Sequence, residues 1–169
     1  TVEIDARKGG SSLRTAYTGA FASGYDSSDK IKVTEGGTPE EAGLKRVFGY
    51  KESLTNNFAF GVADAEAPAG LMEGHYAMQL GLSDSNIGKT IDLATESSKC
   101  TFALYDYQTY KTYDISKTAG VTGTVTTAGT ARRLYLRFSV TIPDGPAVEG
   151  EWFGDVTAAE AVDLTPVKP

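Results

Sequence analysis

The sequence predicts an all-β protein, a single domain spanning residues 1–169 that folds as an antiparallel β-sandwich of about eight or nine strands with one short helix. Two observations lead to this prediction. Short segments of alternating apolar and polar residues recur along the chain and are separated by Gly, Asp, Asn and Ser. A chain of 169 residues also fits one domain, and it can bury a sizeable core without disulfides or metals.

The strand candidates become clearer along the chain. "VEIDA", "LRTAYTGAF" and "KIKV" near the start alternate only weakly. "NFAFGVAD" (residues 57–64) places Phe58, Phe60 and Val62 on one face. Further strands are predicted in "GHYAMQLGLS", "CTFALY", "VTGTVTTA", "LYLRFSVTI" and "AVEGEWFGDV".

The one predicted helix begins in "TPEEAGLKRVFGY" (residues 38–50). Thr38 suits the N-cap, Pro39 suits the first helical position, and the two glutamates that follow complement the positive end of a helix. Gly43 weakens the interior, so a helix of at most about two turns is expected. "DSNIGKTIDL" (residues 84–93) is predicted to hold another short turn.

The segment "LYLRFSVTIPDGPAVEGEWFGDV" (residues 134–156) predicts a β-hairpin with a defined register. Pro-Asp-Gly at residues 143–145 suits a three-residue loop whose glycine is left-handed, which places Ile142 opposite Pro146. Opposing residues then pair as Leu136–Trp152, Phe138–Gly150, Val140–Val148, Arg137–Glu151 and Tyr135–Phe153. Because a one-residue slip would exchange the core and solvent faces, this clean separation supports the register. Trp152 is therefore predicted to be a core residue.

A closed β-barrel with an interior ligand, lipocalin-like, is the alternative to the sandwich. The side chains predicted to point inward are large and suit a filled core better than a cavity: Phe58, Phe60, Met78, Leu80, Phe138 and Trp152.

The charge and hydropathy of the chain exclude several function classes. Lys and Arg number 16 and Asp and Glu 22, which gives a net charge of 16 − 22 = −6, and no basic stripe is visible. Binding to nucleic acid is not expected, because it depends on neutralising phosphates. No apolar run approaches the ~18 residues that a membrane-spanning helix needs.

Residues suited to catalysis or metal binding are few. His75 is the only histidine, which excludes metal sites with two or more histidines, and no nucleophile motif accompanies it. The lone Cys100 precedes an apolar strand and is predicted to be a small buried filler. Glu149 and Glu151 are the neatest carboxylate pair, but their pattern favours a solvated strand face. The sequence therefore favours a non-enzymatic protein without catalytic residues, metal or cofactor.

Aromatic residues give the predicted ligand-binding set of Tyr105, Tyr107, Tyr135 and Phe153. In "ALYDYQTYKTYDI" (residues 103–115), Tyr105 and Tyr107 point outward if the alternate strand residues point inward. Tyr135 beside Phe153 forms an aromatic pair on the face of the hairpin opposite Trp152. Outward rings among Asp, Gln and Thr are typical of carbohydrate sites, and the same residues are also ordinary in edge strands.

Residues 74–156 resemble a kind of secreted protein or lipoprotein β-domain found in Bacteroidales gut bacteria. The resemblance rests on "YAMQLGLSDSNIGKTIDL", "FALYDYQTY" and "LYLRFSVTIPDGPAVEGEWFG". It implies an exported, mostly antiparallel β domain, extracellular or associated with the outer membrane, and it implies no functional residues. The start at "TVEIDARKGG", without an initiator methionine, leads us to expect a leader upstream.

Three functions are compatible with these features. The first is a non-enzymatic exported protein that recognises a glycan or a protein partner at the cell surface. The second is a structural or assembly component that acts through exposed sheet edges. The third is a small carboxylate-based glycan hydrolase. A continuous outward aromatic patch would favour binding, whereas buried aromatics and an unpaired edge would favour assembly.

Overall fold

The computed structural model describes residues 29–62, 74–161 and 163–168. These residues form a mostly antiparallel β fold with one short helix, as the sequence predicts. The strands are β1 (Lys30–Glu35), β2 (Thr38–Glu52), β3 (Thr55–Val62), β4 (Tyr76–Ser83), β5 (Thr90–Asp92), β6 (Cys100–Asp106), β7 (Lys111–Asp114), β8 (Thr122–Gly129), β9 (Arg133–Thr141), β10 (Ala147–Asp155) and β11 (Thr157–Ala158). The helix, α1, spans Leu93–Glu96. None of the helices in the described ranges is long and apolar enough to cross a membrane.

The strands form one sheet that curls into a half-barrel. Its order is β5-β8-β9-β10-β1-β2-β3-β4-β6-β7, with β11 added beside β2. Strands far apart in this order meet across the concave face: the rings of Phe102 (β6) and Phe138 (β9) lie 5.6 Å apart, as do those of Phe60 (β3) and Trp152 (β10). The curl therefore brings two halves of the sheet together around a shared core.

Large apolar side chains fill the concave face, as expected. The six side chains predicted to point inward all belong to this core: Phe58, Phe60, Met78, Leu80, Phe138 and Trp152. Cys100 is buried in the same cluster, so its prediction as a buried filler is confirmed. Burial of apolar surface on this scale is the main stabilising contribution to such a fold.

The helix predicted at residues 38–50 is wrong, because this segment forms most of β2. Thr38–Gly43 pairs with β1, and the strand then pairs with β3, with a register shift between Lys45 and Phe48. Sheet pairing along both edges outweighs the local capping signals. The helix lies instead at α1, where the side chain of Asp92 accepts a hydrogen bond from the Ala94 N–H at 3.0 Å. The turn predicted within residues 84–93 is confirmed as a 3-10 turn at Asp84–Asn86.

The register predicted for the β9–β10 hairpin is confirmed. Leu136 opposes Trp152, Phe138 opposes Gly150 and Tyr135 opposes Phe153. The loop differs in one detail, because Asp144 (φ 56°) rather than Gly145 is left-handed. Aspartate tolerates this conformation better than most residues. A Cβ at Gly145 would lie 3.1 Å from Ile142 Cγ2 and 3.3 Å from the Tyr113 ring, so a larger residue there would require small shifts of these two side chains.

Candidate functional site

An opening in the wall of the half-barrel lies beside the second half of β2. The first half of β2, Thr38–Gly43, is covered by β1. Farther along, the short β11 runs parallel to Phe48 and Gly49, and the Ala159 N–H donates to the Gly49 carbonyl at 3.0 Å. Because backbone groups alternate between the two edges of a strand, the N–H and C=O of Lys51 face the same edge as the Gly49 carbonyl. The end of β2 therefore borders the opening.

The opening leads into a cleft of about 780 Å³, here called the β2 cleft. Its walls are the ends of β2 and β3, the turn between β8 and β9, and the chain after β10. The Val156 N–H donates to the Arg132 carbonyl at 2.8 Å, which fixes the last two walls relative to each other. The polar and charged side chains that line the cleft are Tyr50, Lys51, Glu52, Asn56, Asn57, Asp84, Arg132 and Glu160.

A hydrogen-bond network holds one side of the β2 cleft. Lys51 Nζ lies 2.7 Å from Asp84 Oδ2, and Asn56 Nδ2 donates to Asp84 Oδ1 at 2.8 Å. Asn56 is buried and also donates to the Leu82 carbonyl at 3.3 Å. The hydrogen bond from Lys51, followed by that from Asn56, lowers the pKa of Asp84 below its usual value. The network therefore presents a paired ammonium group and ionised carboxylate, both of which remain accessible to solvent.

Tyr50 is the aromatic residue at the rim of the β2 cleft. Its hydroxyl accepts a hydrogen bond from Gln79 Nε2 at 2.9 Å, and Gln79 Oε1 accepts one from the Tyr105 hydroxyl at 3.1 Å. The Tyr105 hydroxyl is the donor because the amide oxygen of Gln79 can only accept, and burial raises the pKa of Tyr105 to about 12. Tyr105 thus contributes to the position of Tyr50 from beneath the C-terminal segment.

Tyr105 and Tyr107 lie on the outer face of the sheet, opposite Phe102 and Leu104, as the alternation predicts. The outer face is covered there. Tyr105 is 8% exposed and packs with Leu164, and the Tyr107 hydroxyl donates to the Leu164 carbonyl at 2.7 Å. The two tyrosines support the C-terminal segment in this structure.

Tyr135 and Phe153 form a separate outer cluster with Ala128, and both are buried. The Tyr135 hydroxyl donates to the Glu151 carboxylate, and the Arg133 guanidinium lies 5.3 Å from the centre of the Phe153 ring. The prediction that Glu151 lies on a solvated face of the hairpin is therefore wrong, because Glu151 is buried. The four aromatics of the predicted set belong to two clusters rather than one exposed patch, and their role in ligand binding stays a prediction.

His75 lies at the other end of the sheet, held between two carboxylates. Its Nδ1 is 2.7 Å from Glu40 Oε2, and its Nε2 is 3.0 Å from Asp106 Oδ1. Asp106 is 1% exposed, and its Oδ1 also accepts the N–H groups of Gln108 and Thr109. Burial by itself would raise the pKa of Asp106, but these hydrogen bonds and His75 outweigh burial and lower it. This arrangement joins β2, β4 and β6 at their ends.

Within the described ranges, the remaining reactive groups do not assemble into a centre. Burial raises the pKa of Cys100 to about 11, which keeps the thiol protonated at neutral pH. Glu149 is paired with Lys32 at 2.8 Å on the surface. Among the residues that the structure describes, no group of three or more His, Cys, Asp or Glu side chains could hold a metal ion.

Sequence reasoning missed the β2 cleft. Tyr50 fell in the segment predicted to be helical, and Asp84 was expected only to belong to a polar turn. The cleft residues lie far apart in the sequence, and no local pattern connects them. Comparison of the chain with protein-family models, with curated proteins and with solved structures finds no match.

Proposed function

We propose that this chain is a non-enzymatic binding protein that holds a glycan in the β2 cleft. The observation that carries the proposal is the cleft of about 780 Å³, with Tyr50 at its rim and the Lys51–Asp84–Asn56 network on one side. Ligand pockets typically enclose roughly 300–1,000 Å³ and combine apolar or aromatic surface with a few fixed polar groups. The β2 cleft matches this description in size and composition.

The charges around the β2 cleft favour a neutral polar ligand. Lys51 and Arg132 carry positive charge, and Glu52, Asp84 and Glu160 carry negative charge. Opposite charges so close in number attract neither anions nor cations strongly. They supply both hydrogen-bond donors and acceptors, as a ligand rich in hydroxyl groups requires, while the Tyr50 ring offers a surface for an apolar sugar face. A glycan combines these properties.

The titratable groups support binding rather than catalysis. A glycosidase needs a carboxylic acid that keeps its proton near neutral pH. The lowered pKa of Asp84 leaves this carboxyl ionised instead. Both ring nitrogens of His75 face carboxylates, Glu40 and Asp106, rather than a nucleophile.

The proposal includes export to the cell surface, extracellular or associated with the outer membrane. The support is the resemblance of residues 74–156 to a Bacteroidales secreted protein or lipoprotein β-domain. It also includes a sandwich-like arrangement of the two halves of the curled sheet. The contact of Phe102 with Phe138 across the core supports a filled interior over a lipocalin-like barrel with an interior ligand.

A glycan array tests the proposal directly. Purified wild-type protein is compared with Tyr50→Ala, which removes the ring at the cleft rim, and with Tyr110→Ala. Tyr110 is a suitable matched control because it is 41% exposed and lies in the β6–β7 turn, outside the cleft. We expect signals that Tyr50→Ala loses and Tyr110→Ala retains. No signal across a broad array, or equal binding by Tyr50→Ala, would contradict the proposal.

Assembly through sheet edges is the second candidate. The observations that favour it are the burial of Tyr105, Tyr135 and Phe153 and the position of β5 and β7 at the two ends of the strand order. Analytical ultracentrifugation over a range of protein concentrations tests this function. Concentration-dependent growth beyond a dimer would support it, and a mass independent of concentration would argue against it.

A further inference from the structure

A row of paired residues leads from the β2 cleft across the outer face of the sheet. Tyr50 (β2) opposes Asn57 (β3), Asn57 opposes Gly81 (β4), and Gly81 opposes Thr101 (β6); we call these four residues the outer row. Tyr50 and Asn57 line the β2 cleft. Because directly paired residues lie on the same face of a sheet, the surface that borders the cleft continues along this row to β6.

Gly81 keeps the middle of the outer row low. A Cβ at this position would lie 2.4 Å from Thr101 Oγ1 and 2.9 Å from Asn57 Oδ1, so these two oxygens occupy the space above the glycine. Thr101 is exposed and Asn57 is partly exposed. The middle of the row therefore presents a hydroxyl and an amide close to the backbone, with no bulky side chain between its two ends.

A second cavity, of about 180 Å³, lies at the far end of the outer row. The polar side chains that line it are Gln79, Thr101, Tyr105, Asp114 and Ser116. Thr101 belongs to the row and to this cavity, and Asn57 belongs to the row and to the β2 cleft. Along the row, the second cavity is therefore separated from the β2 cleft by β4 at Gly81.

The groups along this path suit an uncharged ligand with many hydroxyl groups. Among the described side chains that line the second cavity, Asp114 alone carries charge, and its Oδ1 accepts the Ser116 N–H at 2.9 Å and the Ser116 hydroxyl at 2.7 Å. The Gln79 amide runs beside the row, where it joins the hydroxyls of Tyr50 and Tyr105. Hydroxyl and amide groups both donate and accept hydrogen bonds, as sugar hydroxyls do.

We propose that the β2 cleft and the second cavity are two subsites for one extended, neutral oligosaccharide, which crosses the strands over Gly81. The inference rests on the proposed function of the β2 cleft and adds the length of its ligand. The outer row covers three strand spacings, or roughly 14 Å from β2 to β6. A single sugar cannot contact Tyr50 and Thr101 at once, whereas a chain of several sugars can. A ligand held at both subsites binds more tightly, because its second contact is intramolecular.

A glycan array that carries neutral gluco-, manno-, galacto- and xylo-oligosaccharides as ladders, from single sugars to hexasaccharides, tests this inference. The wild type is expected to bind the longest members of a recognised ladder at least about tenfold more tightly than the disaccharide, since the second subsite adds hydrogen bonds. Equal binding of short and long members by the wild type would overturn the inference.

Thr101→Leu removes the hydroxyl at the second subsite and adds bulk above Gly81. This variant, once circular dichroism has shown that it is folded, is expected to lose the gain in affinity with length. The matched control is Thr124→Leu, since Thr124 is an exposed strand threonine on β8 outside both cavities, and it should keep the gain. If Thr101→Leu does not fold, Thr101→Val keeps the shape of the side chain and should weaken binding of the long members about fivefold.

Tyr50→Ala separates failure of this inference from failure of the proposed function. Signals that Tyr50→Ala loses, but that a folded Thr101 variant keeps in full for the long members, overturn this inference alone. A silent array, or signals that Tyr50→Ala retains, contradict the glycan site in the β2 cleft and this inference with it.

Discussion

Replacing Asp106 by alanine removes the carboxylate that anchors the end of β6. Asp106 Oδ1 accepts the Gln108 N–H at 2.9 Å, the Thr109 N–H at 3.1 Å and His75 Nε2 at 3.0 Å. A hydrogen bond to a charged group contributes about 1.5–3 kcal/mol. Gln108 and Thr109 are exposed and regain water, and His75 keeps Glu40, so the full sum is not lost. We expect a loss of about 2–4 kcal/mol in the free energy of unfolding.

The assay is urea unfolding at neutral pH, with Asp114→Ala as the control. Asp114 makes a comparable turn, accepting the Ser116 N–H at 2.9 Å, but its side chain is less buried. We expect its loss to cost about 0.5–2 kcal/mol, as for a helix cap. Equal losses for the two variants would refute the reasoning about Asp106.

Asp106→Ala should also change how the free energy of unfolding depends on pH. The pKa of Asp106 is lowered in the folded state, so its contribution to stability is present above the unfolded pKa of about 3.9 and is lost as the pH falls through the folded value. Unfolding of the Asp106→Ala variant should therefore vary less with pH below about 4 than unfolding of the wild type. An unchanged slope in this range would show that Asp106 is not the titrating group.

Three further predictions concern packing and strain. Gly123→Ala should lower the free energy of unfolding in urea by more than about 3 kcal/mol, because a Cβ there would lie 1.9 Å from the Ser139 carbonyl oxygen at a φ of 118°. The control Gly88→Ala, at a φ of 94° with nothing within 4 Å, should lower it by about 1 kcal/mol. Equal losses would contradict the clash at Gly123. Cys100, buried and with its pKa raised to about 11, should react with iodoacetamide at pH 8 only after unfolding, and rapid labelling of the folded protein would be inconsistent with this burial. Trp152→Ala should destabilise by about 3–5 kcal/mol, and a loss below about 1 kcal/mol would argue against a core position.

The β9–β10 hairpin could be predicted because its signals are local. Alternation assigned the faces, and the residues around Pro143 and Asp144 limited the loop length, so the register followed. The helix prediction at residues 38–50 failed because it used only local capping residues, whereas the conformation of this segment depends on distant strands. Pairing with β1 and β3 makes this segment a strand, and no short pattern in the sequence indicates these pairings.

The candidate site could be predicted only in part. Alternation along β6 correctly placed Tyr105 on the outer face, but it could not show that Leu164 would cover it. The β2 cleft combines Tyr50 with Asp84 and Arg132, which come together because β1 covers only the first half of β2. Their proximity depends on the sheet topology, which none of these segments reveals by itself.

The position of the ligand in the β2 cleft is tested most directly by amide chemical shifts in nuclear magnetic resonance. An oligosaccharide bound by the wild-type protein on the array is titrated into isotopically labelled protein. We expect shifts at residues 49–52, at Asn57 and Asp84, and in the turn at Arg132, because these residues line the β2 cleft. Shifts confined to residues 107–113, with the cleft amides unchanged, would contradict it.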